Sequence, residues 1–127
     1  MTIVVSAVVV SAVVVSAVVV SAVVELDPAQ RSAALTGSKP HIDAALAQPG
    51  CLAYSWCADP HDPARVHVFE EWTSEAALAA HLAGPAYSGM LGHIQGHGIT
   101  NAVSHKYAVT AKQPVYDPEG RPRADFF

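Results

Sequence analysis

The sequence predicts an α+β fold of the ferredoxin-like type, with the order strand, helix, strand, strand, helix, strand. Two alternating segments, Cys51 to Ala58 and Arg65 to Trp72, are typical of strands with one buried face. Apolar residues with helical spacing lie on both sides of this pair. A valine-rich first segment and an alternating last segment supply the other two strands. The 127 residues suit one domain.

The composition limits the classes of partner. The formal net charge is −4, and no cluster of Lys and Arg occurs in the sequence, which argues against binding to nucleic acid. Cys51 and Cys57 share a face of one predicted strand but lie too far apart to form a disulfide. We therefore predict buried free thiols and a reducing, cytoplasmic compartment.

The first strand contains a repeat. Residues 4–23 are four perfect copies of Val-Val-Ser-Ala-Val. Removing three copies leaves an ordinary strand that leads into Glu25-Leu26-Asp27, so we interpret the extra copies as an insertion, natural or engineered, that extends this strand. A slip of ten residues restores both the sequence and the faces, so the register is poorly specified. A long valine-rich strand without charge or proline also predicts self-association into higher assemblies.

A membrane helix is the alternative for this segment. Ile3 to Val24 is uncharged and long enough to span a bilayer. No positively charged residue precedes it, which argues against membrane insertion and against a signal peptide. The strand is therefore the preferred interpretation.

The first helix is predicted from Pro28 to about Ala47, because Asp27 can cap it and proline suits the first helical position. Gly37 and Pro40 lie inside this range and predict a kink or break between Thr36 and Lys39. The buried stripe is predicted to comprise Ile42, Ala45 and Leu46.

The second strand, Cys51 to Ala58, is predicted to place Leu52, Tyr54 and Trp56 on one face. The third strand ends at Trp72, after which Thr73 or Ser74 caps a helix that reaches Leu82. A further helix is predicted over Ala86 to Ile94. The fourth strand, about Asn101 to Thr110, places the side chains of Val103, His105, Tyr107 and Val109 on one face.

Residues 1–110 are thus predicted to form the domain, and residues 111–127 a C-terminal arm. The terminal Phe126 and Phe127 are interpreted as a patch that docks on this subunit or on a partner. Helices on one face of a four-stranded sheet leave its other face uncovered. A second copy of the chain would cover it, so we predict a homodimer.

Three side chains are predicted to converge on one cavity. Glu70 and Trp72 share a strand face with apolar residues, and His81 points inward from the following helix. A carboxylate among apolar neighbours is the informative feature, because it must be paired, hydrogen-bonded or protonated. Each residue also has a structural interpretation: Glu70 as an anchor, Trp72 as core, and His81 bonded to a backbone carbonyl.

Aromatic residues on the neighbouring strands are candidates to bind a planar substrate. Tyr54 and Trp56 are placed to line the cavity from the second strand, and His105 and Tyr107 from the last; core packing is the alternative for each. His93 and His97 lie among glycines without two further convergent ligands, so no metal site is predicted. No glycine-rich dinucleotide loop follows a strand, so no such cofactor is predicted.

An ordered set of segments resembles the antibiotic biosynthesis monooxygenase domain, and quinol monooxygenase-like members in particular. The set comprises Gln48 to Tyr54, the loop Asp59 to Pro63, Val68 to Leu82, and Gly84-Pro85. The resemblance covers about Val24 to Thr110. It implies a dimeric α+β barrel and the oxidation of aromatic substrates without metal or flavin. Haem-degrading relatives carry a histidine where this chain has Leu91, so the resemblance does not extend to haem.

The resulting hypothesis is a cofactor-independent monooxygenase that oxidises a small phenol, quinol or polyketide-like ring with dioxygen. Glu70, Trp72 and His81 are its predicted catalytic residues, and His81 or Glu70 removes the substrate proton. One alternative is a non-enzymatic dimeric ligand-binding or stress module on the same fold. Another is an assembling chain whose repeat, natural or engineered, determines its behaviour.

Overall fold

The computed structural model describes residues 17–127, so the predictions for the first three copies of the repeat lie largely outside the described residues. Within this range, eight helices and strands follow along the chain. They are β1 (Ala17–Leu26), α1 (Arg31–Gly37), α2 (Lys39–Leu46), β2 (Cys51–Ala58), β3 (Arg65–Trp72), α3 (Glu75–Leu82), α4 (Pro85–Gln95) and β4 (Ile99–Val109).

The four strands form one sheet in the order β2-β3-β1-β4. Strand β3 pairs antiparallel with both β1 and β2. This arrangement is the ferredoxin-like α+β fold, and the predicted fold class is confirmed. The antiparallel register places Val18 opposite Trp72, Val20 opposite Glu70 and Val24 opposite Val66.

The register determines which face of the sheet is buried, because directly opposite residues share a face. Even-numbered residues of β1 and β3 point towards the helices. The odd-numbered residues between them, Val19, Val23 and Phe69 among others, point the other way. The buried face packs against helical residues in one core, which comprises Val18, Val24, Leu26, Ala34, Ala45, Tyr54, Val66, Val68, Trp72, Leu78, Ala86, Met90 and Ile94.

Three contacts hold the C-terminal end of β1. The Leu26 side chain is buried, and its backbone N–H donates to the Ala64 carbonyl at 2.9 Å. The Asp27 N–H donates to the Gly98 carbonyl at 2.8 Å. The Arg65 guanidinium lies 3.5 Å from the Glu25 carboxylate. These contacts are made by residues 25–27, which follow the repeat and do not occur in its copies.

The membrane-helix alternative for Ile3 to Val24 is wrong over residues 17–24, which lie in strand β1. Residues 3–16 lie outside the described part of the chain. Within residues 17–127, no helix is both long enough and apolar enough to cross a membrane.

The predicted break in the first helix is confirmed. Helices α1 and α2 meet at Ser38, whose hydroxyl donates to the Leu35 carbonyl at 2.7 Å. Pro40 lies in the first turn of α2, where its missing N–H removes no hydrogen bond. The predicted start at Pro28 is wrong, because residues 27–30 form a turn closed by the Gln30 N–H and the Asp27 carbonyl at 2.9 Å.

The predicted burial of Leu46 and the predicted common face of Leu52 with Tyr54 and Trp56 are wrong for local reasons. Leu46 is 47% exposed, because it lies in the last turn of α2 and only Ala45 is buried there. Leu52 is 53% exposed, because a register shift between Cys51 and Ala53 interrupts the alternation of β2. The thiol of Cys57 is exposed, whereas we expected both cysteines to be buried.

Gly50 is required where α2 connects to β2. Its φ is +84°, and a Cβ added there would lie 2.7 Å from both the Ala77 Cβ and the Thr73 Oγ1. We expect Gly50→Ala to lower the free energy of unfolding by more than the roughly 1–2 kcal/mol of a left-handed alanine alone. Urea denaturation followed by circular dichroism measures this loss.

Gly92→Ala is the matched control for Gly50→Ala. An added Cβ at Gly92 meets no atom within 4 Å, and the residue lies within helix α4. Alanine there should raise the free energy of unfolding by about 0.5–1 kcal/mol through helix propensity. Equal effects of the two substitutions would contradict the requirement for glycine at position 50.

Residues 109–127 belong to a second compact unit. Within it, the Asp117 side chain is buried and accepts the backbone N–H groups of Glu119 and Arg121 at 3.0 and 2.9 Å. The Arg123 guanidinium lies 4.7 Å from the centre of the Phe127 ring. Phe127 thus contacts its own unit, whereas Phe126 is 67% exposed; docking of these aromatics on a partner stays a prediction.

Candidate active site

A cavity of about 340 Å³ lies between the buried face of the sheet and helices α3 and α4. Its walls are mostly aliphatic and aromatic, and one carboxylate, that of Glu70, lines it within the described part of the chain. The lining residues are Val20, Ala22, Val24, Tyr54, Trp56, Val68, Glu70, Leu78, Leu82, Tyr87, Met90, Leu91, Ile94, Ile99, Ala102, Ser104, His105 and Lys106.

Glu70 reaches the cavity because it alternates with Val68 and Trp72 on the buried face of β3. One carboxylate oxygen, Oε1, accepts the indole N–H of Trp72 at 3.0 Å. Burial raises the pKa of Glu70, and the bond from Trp72 opposes this rise only in part. Glu70 is therefore a fixed carboxylate that binds a proton more readily than a glutamate in water.

Trp72, which binds this carboxylate, and its neighbour His81 do not line the cavity. Trp72 is fully buried, and its ring centre lies 4.6 Å from that of His81. Tyr54 and Tyr87, which do line the cavity, contact the His81 ring edge-on at 5.5 and 5.9 Å. The predicted acid, indole and imidazole thus form one contiguous cluster, of which the acid alone faces the hollow.

His81 is held by a side chain that the sequence did not predict. Its Nδ1–H donates to Gln48 Oε1 at 2.6 Å, which leaves Nε2 as the unprotonated nitrogen. Nε2 is buried and has no hydrogen-bond partner in the described residues. Burial lowers the pKa of His81, so the ring stays neutral at pH 7. The alternative interpretation of His81, a bond to a backbone carbonyl, is not found among residues 17–127, where the ring is bonded to Gln48 instead.

Gln48→Glu is expected to raise the pKa of His81, because a carboxylate beside Nδ1–H favours the charged imidazolium. Gln48→Ala, the matched control, removes the hydrogen bond without adding charge and should leave the ring neutral. Nitrogen-15 NMR titration of the histidines measures both. An imidazole that stays neutral at pH 6 in Gln48→Glu would contradict this assignment.

The predicted substrate-binding residues divide into two groups. Tyr54, Trp56 and His105 line the cavity, the last from exposed strand β4. Tyr107 does not line it and is 54% exposed, so its predicted place in the cavity is corrected. Burial raises the pKa of Tyr54 to about 12, so its hydroxyl stays protonated at neutral pH.

The helical wall of the cavity was missed as a binding surface. Tyr87, Met90, Leu91 and Ile94 line it from α4. Their spacing of three, four and seven residues is the pattern of one helix face, so the sequence did contain the signal. Gln48 had no comparable signal, because its partner lies 33 residues away.

His93, in α4, and His97, just after it, both form hydrogen bonds with backbone carbonyls. His93 Nε2–H donates to the Ala34 carbonyl at 2.8 Å, and His97 Nδ1–H to the His93 carbonyl at 2.7 Å. Across residues 17–127, no group of three or more His, Cys, Asp or Glu side chains is placed to hold a metal ion.

The sequence pattern of the antibiotic biosynthesis monooxygenase family matches residues 17–91, more than half of the chain. The chain belongs to this family. The matched range contains Glu70, Trp72, His81 and Gln48, so the cluster lies within the family domain. No curated protein matches the chain at a significant level.

Solved structures share the fold. One described as an antibiotic biosynthesis monooxygenase is 24% identical and superposes with a TM-score of 0.65 over 73% of this chain and 98% of its own. A Mycobacterium tuberculosis protein is 23% identical, with a TM-score of 0.67 over 78% and 100%. A Bacteroides thetaiotaomicron protein, described as of unknown function and a possible oxidoreductase, is 21% identical, with a TM-score of 0.67 over 74% and 98%.

Proposed function

We propose that this member of the antibiotic biosynthesis monooxygenase family oxidises a small aromatic phenol, quinol or polyketide-like ring with dioxygen, without a metal or flavin. The observation that carries the proposal is the Glu70 carboxylate, oriented by Trp72 in a cavity whose walls are mostly apolar. A base of raised pKa is suited to take a proton from a weakly acidic phenol or benzylic C–H group. The flat rings of Tyr54 and Trp56 suit contact with an aromatic substrate.

In the proposed reaction, Glu70 removes one proton from the substrate and leaves an electron-rich anion. The anion transfers electrons to dioxygen, and the two combine into a peroxide on the ring. For an anthrone, the CH₂ group becomes a carbonyl: one oxygen atom enters the product, and the other leaves as water with the two hydrogens. The mostly apolar walls limit the access of bulk water to the peroxide.

Oxygen uptake by the purified protein, with hydroquinones and anthrones as substrates, tests this function. Uptake should exceed spontaneous oxidation and should persist after treatment with a chelator. Uptake no faster than that of protein-free substrate would overturn the oxygenase assignment. Tight binding of the aromatic without turnover would instead indicate the ligand-binding module that shares this fold.

We further propose that the chain forms a homodimer through the open face of the sheet and works in a reducing compartment such as the cytoplasm. Val19, Val23 and Phe69 point from this face, Phe69 with 43% exposure, and the exposed Cys57 thiol suits a reducing environment. Light scattering should give twice the chain mass, and Phe69→Glu should reduce it to the monomer. A monomeric mass for the unmodified chain would contradict the dimer.

A further inference from the structure

A lysine lies where the cavity meets a second hollow. This hollow has a volume of about 410 Å³ and is lined by residues of α3, β1 and β4. The cavity and the hollow share three lining residues, Leu78, Leu82 and Lys106. The two leucines are aliphatic, so the ammonium group of Lys106 gives this boundary a positive charge.

Strand β4 directs Lys106 to the helix side of the sheet. Four even-numbered residues of the strand, Ala102, Ser104, Lys106 and Ala108, line the cavity or the second hollow. Alternate residues of a strand share a face, so this set marks the face of β4 that looks towards α3 and α4. Lys106 is exposed on this edge strand, so its ammonium group is open both to solvent and to a ligand in the cavity.

Lys106 has no acidic partner within the described part of the chain. Lys39 pairs with Asp43 at 2.9 Å, whereas no ion pair of residues 17–127 involves Lys106. One carboxylate lines each hollow, Glu70 the cavity and Glu75 the second hollow, and neither forms an ion pair with this lysine. The charge of Lys106 is therefore available to an anion that enters the cavity.

We propose that the aromatic molecule bound in this cavity carries a carboxylate, and that Lys106 binds this carboxylate where the two hollows meet. The Ser104 hydroxyl, two residues earlier on the same face of β4, supplies a second hydrogen-bond donor. A carboxylate has two oxygens that can accept from both groups. As a substrate class, aromatic acids rest on the proposed function, in which Glu70 deprotonates the ring.

The sheet sets the distance between the two polar ends of the cavity. Glu70 is on β3 and Lys106 on β4, and β1 lies between these strands. Neighbouring strands are about 4.8 Å apart, so the two backbones are separated by roughly 10 Å, which leaves room for one or two fused rings. We therefore expect the carboxylate on the far side of the rings from the reacting position, where its repulsion from Glu70 is least.

Ligand binding tests the preference for a carboxylate without any turnover. Naphthalene-2-carboxylate is the probe, and naphthalene-2-carboxamide, which has nearly the same shape and no charge, is the matched ligand. Isothermal titration calorimetry on the full chain measures the dissociation constant of each. We expect the carboxylate to bind about tenfold more tightly than the amide, as for one hydrogen bond between charged groups. High ionic strength should reduce this ratio, because the site is partly open to solvent.

Lys106→Met removes the charge and keeps most of the length of the side chain. It should weaken carboxylate binding about tenfold and leave amide binding unchanged, so that the preference disappears. Lys39→Met is the matched control, because it alters the net charge equally but lies on α2 and lines neither hollow. It should change neither dissociation constant. Circular dichroism verifies that both variants are folded.

Equal binding of the two ligands by the unmodified chain, or binding of neither, would overturn the aromatic acid as ligand. A preference that survives Lys106→Met would assign it to another group, such as His105, and would overturn the role of Lys106. Oxygen uptake separates these failures from failure of the oxygenase. Uptake with hydroquinones but without a carboxylate preference removes only the aromatic acid. Carboxylate binding that depends on Lys106, without uptake of oxygen, keeps the ligand class and removes the oxygenase.

Discussion

Glu70→Gln is expected to lower the rate of aromatic oxidation by about 10²–10⁴-fold, the usual contribution of a positioned general base. Glutamine keeps an oxygen that can accept the Trp72 N–H, so the hydrogen bond and the fold should survive. What it loses is the ability to take a proton. Oxygen uptake at saturating and limiting substrate measures the loss, which should fall mainly on kcat.

Glu71→Gln is the matched control for this substitution. Glu71 is the next residue of β3 and points to the opposite face of the sheet, away from the cavity. The same chemical change there should leave oxygen uptake unaltered. If both variants lose activity equally, or neither does, Glu70 is not the base.

The pH dependence follows from the same carboxylate. Burial raises the pKa of Glu70, and only the ionised form acts as a base. The kcat/KM of the unmodified chain should therefore fall as the pH drops through a value above the normal range of glutamate.

The free energy of unfolding depends on pH in the opposite direction, because Glu70 destabilises the fold when it is ionised. A raised folded-state pKa stabilises the fold below the unfolded pKa, and this benefit is lost as the pH rises through the folded pKa. Glu70→Gln should thus be more stable than the parent at neutral pH but not at low pH.

Trp72→Ala is expected to lower the free energy of unfolding by about 3–5 kcal/mol, as for other large buried aromatic residues. Trp72 has no exposed surface. It belongs to the core and contacts the His81 ring. Its removal also takes the hydrogen-bond donor from the half-buried Glu70 carboxylate. Since small domains are stable by about 5–15 kcal/mol, this loss is a large share of the total. Urea denaturation followed by far-ultraviolet circular dichroism measures it.

Trp56→Ala is the control for Trp72→Ala. Trp56 is only partly buried, at the cavity wall. Its truncation removes less buried surface than that of the fully buried Trp72, so the loss of stability should be distinctly smaller. A Trp56→Ala variant as unstable as Trp72→Ala would contradict the central structural role of Trp72.

Much of the fold followed from local sequence signals. The alternation of Arg65 to Trp72 and the cap at Ser74, which accepts the Ala77 N–H at 3.1 Å, predicted β3 and α3 closely. The break between α1 and α2 followed from Gly37 and Pro40. Exposure at Leu52 could not be predicted, because a bulge depends on how β2 pairs with β3 and leaves no local mark in the sequence.

The candidate site was predicted less completely. Periodicity placed Glu70 and Trp72 on the buried face, and both lie there. Periodicity cannot state which inward side chain reaches a cavity and which is packed behind others. His81 is buried as predicted, yet it does not line the hollow and instead contacts Tyr54 and Tyr87, which do.

The sequence by itself determined the order of the strands and helices, the inward direction of Glu70, Trp72 and His81, and the resemblance to a monooxygenase family. The strands, the helices and the inward directions depend on neighbours within about eight residues along the chain, which the periods of helix and strand make visible. The resemblance depends on the order of several such short segments. Only the tertiary structure decided that Glu70, and not Trp72 or His81, faces the cavity, that Gln48 holds His81, and which side chains line the hollow. Those outcomes depend on contacts between residues far apart in sequence, whose distances are set when the helices pack on the sheet.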